Sequence, residues 1–310
     1  MRSLASLGEF GLIDFFKKKS LKKHPAVLFG IGDDTAILKG SREGDLLFTT
    51  DLLIEGKHFR LGEATPFEIG RKAIAVNLSD IAAMGGRPLC AVAALGLPAG
   101  LKLSFVLELY RGLEQTSRRF GACLVGGDTN QSDCLVISVA MLGRTFGPGK
   151  AVRRSGAKKG DVLFVTGELG GSYRSKKHLR FTPRLKEAEY LVKHFKLGAM
   201  MDLSDGLASD LRRLTGESRT GAFISKEAVP ISGHARGFDN ALSDGEDFEL
   251  VFTLSPKEAA RLACAKVPKG LAKFTPIGKI VDKRFGIKLV RAEGRWEVLP
   301  ETGFDHFRRK

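Results

Sequence analysis

Cysteine is scarce in this chain of 310 residues. The four present, Cys90, Cys123, Cys134 and Cys264, form no CxxC pair, and none sits beside a histidine cluster. That argues against a disulfide framework and a structural zinc site, and leaves reduced thiols in a cytoplasm as the default. Long apolar runs are missing too. The best candidate, LCAVAALGLPAGL, has 13 residues and includes a proline, so it suits a buried strand and not a bilayer span. The amino-terminal MRSLASLGEFGLIDFFKKKS carries Glu9 and Asp14 where a secretory signal needs an unbroken apolar core, and is expected to belong to the mature protein. There is no GxxxxGK[ST] loop to cradle phosphate with a lysine. Acids are outnumbered, 35 against 50 basic residues, for a net charge of +15. Yet the basic residues are scattered, with short runs only at 17–19 and 308–310, and no RNA- or DNA-binding motif accompanies them. The charge reads as a solvated basic surface that also attracts small anions, so neither nucleic acid nor membrane is expected as a partner.

What is present is enough apolar sequence for a core, 43%, and many glycines, 37, a large share of them beside acids. Strand-like runs are LLFTT (46–50), LCAVAALGL (89–97), CLVGG (123–127), LVISVAMLG (135–143), DVLFVTG (161–167) and FELVFTL (248–254). Thr65-Pro66-Phe67-Glu68 is a capping box with proline at the first helical position, and opens a helix toward Val76. Ser255-Pro256-Lys257-Glu258 repeats the signature, and a further helix spans about Ser104 to Phe120. Strands and helices mix without a strict βαβ rhythm, which predicts α+β layers, not a doubly wound sheet. LCAVAALGL and LVISVAMLG are apolar on both faces and call for cover on both sides. The unpatterned, glycine-rich and basic stretch 144–161 is the best boundary, giving domains 1–146 and 147–310. NLSD (77–80) and DLSD (202–205) faintly echo each other across it.

The acids themselves recur in turns expected at strand ends or helix starts, most within three residues of glycine: GIGDDTA (30–36), FTTDLLIEGKHF (48–59), NLSDIAAMG (77–85), VGGDTN (125–130), MDLSDG (201–206) and DGEDFEL (244–250). Any one could be an Asx-turn or a helix cap. In MDLSDGLASDL, Ser204 or Asp205 is placed to cap a helix whose buried stripe is Leu203, Leu207, Leu211 and Leu214. Six such segments in a basic chain point further. Aspartate oxygens are hard ligands for Mg²⁺, and the Thr49 and Thr50 hydroxyls can add to them. Convergent carboxylates would repel one another unless divalent cations separate them. Those cations would bridge to a polyphosphate. The chemistry implied is metal-assisted phosphoryl transfer using acids and glycine turns in place of a lysine loop.

GEFGLI (8–13), GIGDDTA, TTDLLIEGKHF, AVNLSDIAAMGGRP, GGDT, RRSGAKKGD, MDLSDGLASDL and GEDFEL occur in the order found in thiamine-monophosphate kinases, which the chain resembles from residue 8 to about 250. The ending GFDHF (303–307) is similar as well. The resemblance implies a two-domain fold like that of aminoimidazole ribonucleotide synthetase, with an amino-terminal ATP- and Mg²⁺-binding half that forms a homodimer through its sheet. It implies ATP-dependent conversion of thiamine monophosphate to thiamine diphosphate, the last step in making that cofactor, in the cytoplasm. K⁺ is a further cofactor the resemblance leaves open. Asp34, Thr49, Thr50, Asp51, Asp80, Asp128, Asp202 and Asp205 would form the metal shell, with Asp51, Asp80, Asp128 and Asp205 carrying catalysis. Tyr110, Gly127, Asp128, Arg154 and Ser204 would contact ATP, although Tyr110 also reads as a core-facing helix residue. His58, Glu246 and Phe304 would face thiamine phosphate, Glu246 pairing with its cation and Phe304 stacking on its ring. Two departures stand out. Phe304 replaces a tyrosine or tryptophan, and GELGGSYRSKKHLRFTPR (167–184) is shorter and more basic than the usual helix.

Other enzymes of that superfamily are the nearest alternatives. A selenide-water dikinase would want a reactive cysteine or selenocysteine near the start, and the first 89 residues have no cysteine. A hydrogenase-maturation dehydratase would end in cysteine, whereas this chain ends FDHFRRK. A basic nucleic-acid-binding module is the alternative of another class. A nucleotide sensor that has lost catalysis is disfavoured, because no aspartate of the set is missing.

Overall fold

The computed structural model describes the chain apart from residues 1–3, 20–23, 305–306 and 308–310. The amino-terminal half runs α1 (Leu4–Lys19), β1 (Val27–Phe29), β2 (Ala36–Ser41), β3 (Gly44–Ile54), α2 (Pro66–Ala83), β4 (Gly86–Leu97), α3 (Leu103–Arg119), β5 (Cys123–Gln131) and β6 (Val136–Thr145). Its strands form one sheet in the order β1-β2-β3-β6-β4-β5. Only β4 and β5 pair in parallel, and α3 supplies the crossover that a parallel pair requires. The other half runs β7 (Val162–Thr166), α4 (Lys177–Arg180), α5 (Leu185–His194), β8 (Leu197–Asp202), α6 (Leu207–Ser218), β9 (Thr220–Ser225), α7 (Phe238–Ser243), β10 (Leu250–Leu254), α8 (Pro256–Ala263), β11 (Phe274–Asp282), β12 (Ile287–Val290) and β13 (Trp296–Val298). Its sheet has the order β13-β12-β9-β11-β7-β10-β8.

The first capping signature forms a full capping box and the second a one-way cap. Thr65 accepts from the Glu68 N–H while the Glu68 carboxylate accepts from the Thr65 N–H, and Ser255 caps α8 through Glu258. α2 is buried along almost its whole length. It lies between the first sheet and α3, and its end, at Ala82 and Ala83, packs with Phe164, Leu191, Met200 and Phe252 of the second half. The helix is thus shared by both cores. It meets α3 at backbone distance. A methyl group on Gly70 would strike the Leu109 carbonyl, and one on Gly112 would strike the Phe67 carbonyl.

The two sheets are covered differently. In the second half β7, β8 and β10 are buried on both faces, between a core containing α6 and another containing α5 and α8. In the first half, β3 alternates. Leu47, Thr49 and Leu53 point into the core, whereas Phe48, Thr50 and Leu52 are exposed. β4 alternates as well, so the expectation of strands covered on both faces is met on one face only within this chain.

Four readings of local structure are corrected. TTD is not a strand end: Thr49, Thr50 and Asp51 lie inside β3, whose pairing with β6 continues to Ile54. NLSD is not a helix start but lies in the second half of α2. VGGDTN is not a turn: it continues β5, paired with β4 as far as Gln131. The helix after MDLSDG is capped by neither Ser204 nor Asp205. Gly206 occupies the cap position with φ 100°, a left-handed turn open to glycine, and no side chain caps it.

The α2–α3 contact gives a direct test. Gly112→Ala gains less than about 1 kcal/mol of helix propensity but overpacks two backbones, at a cost of about 1–3 kcal/mol. Denaturant melts should show a lower midpoint with an unchanged slope. A midpoint at or above that of the parent protein would show that the helices do not meet so closely.

Candidate functional site

Asp202 ends β8, Asp80 lies in α2 and Asp34 precedes β2, so three distant segments each deliver one carboxylate. Their oxygens come within 4.8 Å of one another, with Asp34 and Asp202 buried. Asp51 of β3 and Asp205 of the turn after β8 feel the same field. The Asp51 carboxyl is raised to about 6 by burial and then by the charges of Asp205 and Asp34. Burial followed by the charge of Asp34 lifts Asp202 to about 7. Asp80 is pushed well above the carboxylate range by burial, then by Asp51, Asp202 and Asp34. Asp33 is raised to about 7 by burial and then by Asp34.

The protein offsets part of this repulsion with donors. The Thr49 hydroxyl donates to Asp80 at 2.5 Å, and Ser79 on α2 donates to Asp202 at 2.6 Å. Arg154 donates to Asp34 at 2.5 Å. Burial disfavours charge on Arg154, but Asp34 and then Asp33 more than offset it, and the net shift is upward. Arg213 on α6 meets Asp205 at 2.5 Å and the fully buried Asp210 at 3.4 Å. Even so, Asp34 Oδ2 and Asp51 Oδ2 stay buried with no hydrogen-bond partner. Orphaned hard oxygens among mutually repelling carboxylates are the donor set that suits a divalent cation such as Mg²⁺.

A second group of predicted residues gathers beside the first. His58, in the connection from β3 to α2, accepts the Ile54 N–H on Nδ1 at 3.0 Å, which leaves the proton of the neutral ring on Nε2. Glu246, before β10, is held by its N–H to the Ser204 carbonyl at 2.7 Å. Its Oε1 is already ion-paired with Lys72 at 2.6 Å. The charge expected to meet a cationic substrate therefore has a partner within the chain, while Oε2 is buried and unpartnered. The Phe304 N–H donates to the Asp205 carbonyl at 3.1 Å, docking the half-buried Phe304 on the turn after β8. Ser204 Oγ donates to Asp205 at 3.3 Å.

Other predicted residues lie apart. Asp128 is exposed on β5 and accepts from the Asn130 side chain at 2.7 Å. Thr50 is exposed and donates to the Val139 carbonyl at 3.0 Å. Tyr110 is half exposed on α3, between Leu103 and Leu113, so the core-facing alternative is excluded. Gly127 is required by the strand pairing itself, because a methyl group there would strike the Ala93 carbonyl of β4. Asp305 and His306 of GFDHF lie outside the described residues.

Sequence reasoning missed Asp33, Lys72, Ser79, Asp210 and Arg213. The acidic doublet of GIGDDTA could have flagged Asp33. A lone lysine in the apolar run of α2 could have flagged Lys72. The basic segment 167–184 straps the two halves together. Gly170 and Gly171 donate to Asp247 and Asp244, Arg180 pairs with Glu68 at 2.6 Å, and Arg71 donates to the carbonyls of Leu179, Arg180 and Phe181.

The raised carboxyls predict a pH dependence with a definite sign. Above an unfolded carboxylate pKa of about 3.9, the folded chain keeps protons that the unfolded chain releases. Their contribution is complete below that value and is lost as pH rises through about 6 for Asp51 and about 7 for Asp33 and Asp202. Without divalent cation, the melting temperature should fall from about pH 5 to about pH 8. Mg²⁺ at about 100 times its Kd should restore about 2.7 kcal/mol, most visibly at the higher pH. A melting temperature indifferent to both Mg²⁺ and pH would contradict the cluster.

Two family models describe this chain: the amino-terminal domain of AIR synthase related proteins matches residues 32–145 and the carboxy-terminal domain matches 158–290. The thiamine-monophosphate kinase of Rhodopirellula baltica is 39% identical over 301 residues, covering 91% of this chain and 92% of its own. That of Bacillus subtilis is 32% identical, covering 97% and 100%. Among solved structures, AaThiL complexed with AMPPCP and TMP superposes with a TM-score of 0.84 at 32% identity, covering 99% of both chains. The hydrogenase maturation protein HypE in complex with ATP shares the fold, with a TM-score of 0.70 at 20% identity over 96% of each chain. With the mixed two-sheet architecture and relatives aligned end to end, the chain belongs to the thiamine-monophosphate kinase family.

Proposed function

We propose that this protein transfers the γ-phosphoryl group of ATP to thiamine monophosphate, giving ADP and thiamine diphosphate. The observation that carries the reading is the convergence of acids from both halves on one buried point, in a chain 39% identical to a named kinase of that substrate. Asp34, Asp80 and Asp202 would hold Mg²⁺, with Asp51, Asp205 and Thr49 beside them. Asp128 and Thr50 belong to the set on resemblance alone. Bound Mg²⁺ would neutralise phosphate charge and align the reacting oxygens. Arg154, permanently charged, would turn from Asp34 to a phosphate once that carboxylate is engaged. His58, Glu246 and Phe304 would hold the acceptor. Ser204 and Gly127 border the nucleotide on this reading, and Tyr110 is its weakest member.

Transfer would be direct and in line. A covalent route needs a nucleophile free of metal and paired with a base, and the aspartates here are committed to each other, to donors or to cations. Phosphoryl transfer needs little covalent help once charge is neutralised. Residues 1–146 would form the ATP- and Mg²⁺-binding half and 147–310 the second domain, with a cytoplasmic location expected for a consumer of ATP. The open face of the first sheet, with Phe48 at 48%, Leu52 at 49%, Val92 at 43% and Val125 at 60% exposure, would be covered by a second copy of the chain. Light scattering giving only the 33.6 kDa single-chain mass would refute that homodimer.

The decisive assay combines the protein with ATP, Mg²⁺ and either thiamine phosphate or free thiamine, with K⁺ varied. Product is expected from the phosphate alone, and γ-labelled ATP without acceptor should leave the protein unlabelled. Product from thiamine only, or stoichiometric label that chases into product, would sink the reading. Asp51→Asn should lose activity by more than about 100-fold with the fold intact, since errors of about 1 Å in positioning are that costly.

A further inference from the structure

Lys72 lies in the first half of α2 and is completely buried, among the largest side chains with no exposure at all. A fully desolvated ammonium is tolerated only where its charge and hydrogens are taken up. Two acceptors do so. Lys72 Nζ donates to Glu246 Oε1 at 2.6 Å and to the His58 carbonyl at 2.7 Å. Burial lowers its pKa, and the charge of Glu246 works in the opposite direction. The two acceptors come from opposite halves of the molecule. His58 belongs to the β3–α2 connection, and Glu246 precedes β10.

Glu246 is itself set in an unusual backbone. Its φ is 53°, and two residues on Phe248 has φ 50°, a left-handed region that non-glycine residues occupy only when their surroundings enforce it. The enforcement is visible. The Glu246 N–H is held by Ser204 O at 2.7 Å, its carbonyl accepts from Ser172 Oγ at 2.6 Å, and its Oε1 is held by Lys72. What remains is Oε2, buried and unpartnered. The Tyr173 hydroxyl sits against the same carboxylate, which, after burial, raises its pKa.

We infer that Lys72 is a positioning residue for the acceptor subsite: it fastens Glu246 of one half to the His58 loop of the other and so fixes the direction of the free carboxylate oxygen. The inference rests on the reading that Glu246 and His58 face thiamine phosphate. Lys72 has no exposed surface, so it acts through those two groups and not on the substrate. Because Oε1 is neutralised, Glu246 offers the azolium cation one aimed oxygen. A cationic acceptor is therefore selected by geometry more than by net charge.

Lys72→Met keeps most of the volume and removes the donor. Its KM for thiamine phosphate should rise about tenfold or more, while its KM for ATP stays within about twofold. Glu246→Gln should raise the same KM, and the double variant should be no worse than the weaker single, since residues acting as a unit are not additive. A melting temperature accompanies each variant. If folded Lys72→Met leaves the thiamine phosphate KM unchanged, or raises both KM values alike, while Glu246→Gln raises the first alone, the inference is overturned and the substrate reading stands. If neither Glu246→Gln nor His58→Ala changes that KM, the substrate assignment itself is wrong. Should Lys72→Met fail to fold, Lys72→Leu, which likewise cannot donate, takes its place. A selective rise in the thiamine phosphate KM supports positioning, and an unselective or absent effect refutes it.

Discussion

Mutual repulsion among buried carboxylates is the constraint on which the rest of the structure turns. Two like charges about 4 Å apart repel by about 4 kcal/mol at an effective dielectric constant of 20, and five aspartates here feel one another from β3, α2, the turn before β2 and the end of β8. Protons, donors or cations must absorb that repulsion. Thr49, Ser79, Arg154 and Arg213 absorb part of it. The remainder appears as raised pKa values and as carboxylate oxygens with no partner. A fold that gathers its acids in this way offers the donor set that suits divalent cations, and a cluster so loaded would fit a polyphosphate better than a neutral ligand.

The constraint explains why α2 is so deeply buried. It delivers Asp80 and Ser79 to the acids of the second half on one turn and Lys72 to Glu246 on another, and it closes on α3 through two glycines. The basic strap at 167–184 then ties the second half to the outer side of the same helix through Arg71, Glu68 and Arg180. A shift between the halves would move the carboxylate cluster and the Lys72–Glu246 pair together, because both hang on this helix.

The sheets show a complementary economy. The strands β7, β8 and β10 of the second sheet are buried on both faces, which suits near-continuous runs such as VLFVT and LVFTL. The first sheet has the same kind of sequence in β4 but cover on one face only, leaving Phe48, Leu52, Val92 and Val125 to water in the single chain. An apolar face of that extent on a basic, otherwise well-solvated molecule is where association is expected.

The sequence by itself determined the local punctuation and the chemical inventory. The Thr65 capping box, the Ser255 cap, the glycine turn of MDLSDG, the apolar strand runs and the inventory of acids were legible, because each depends on neighbouring residues. Tertiary structure decided which acids meet. TTD, NLSD and GGDT look alike as short polar interruptions, yet the first lies inside a strand, the second inside a helix and the third on an exposed edge strand, because long-range pairing overrides local turn preference. Asp128 was therefore indistinguishable from Asp80 in sequence, although only Asp80 enters the buried cluster. Lys72 was hidden for the same reason. A lysine in a helix reads as solvent-facing until the fold brings Glu246, 174 residues away, and the His58 carbonyl to its ammonium group and removes the water.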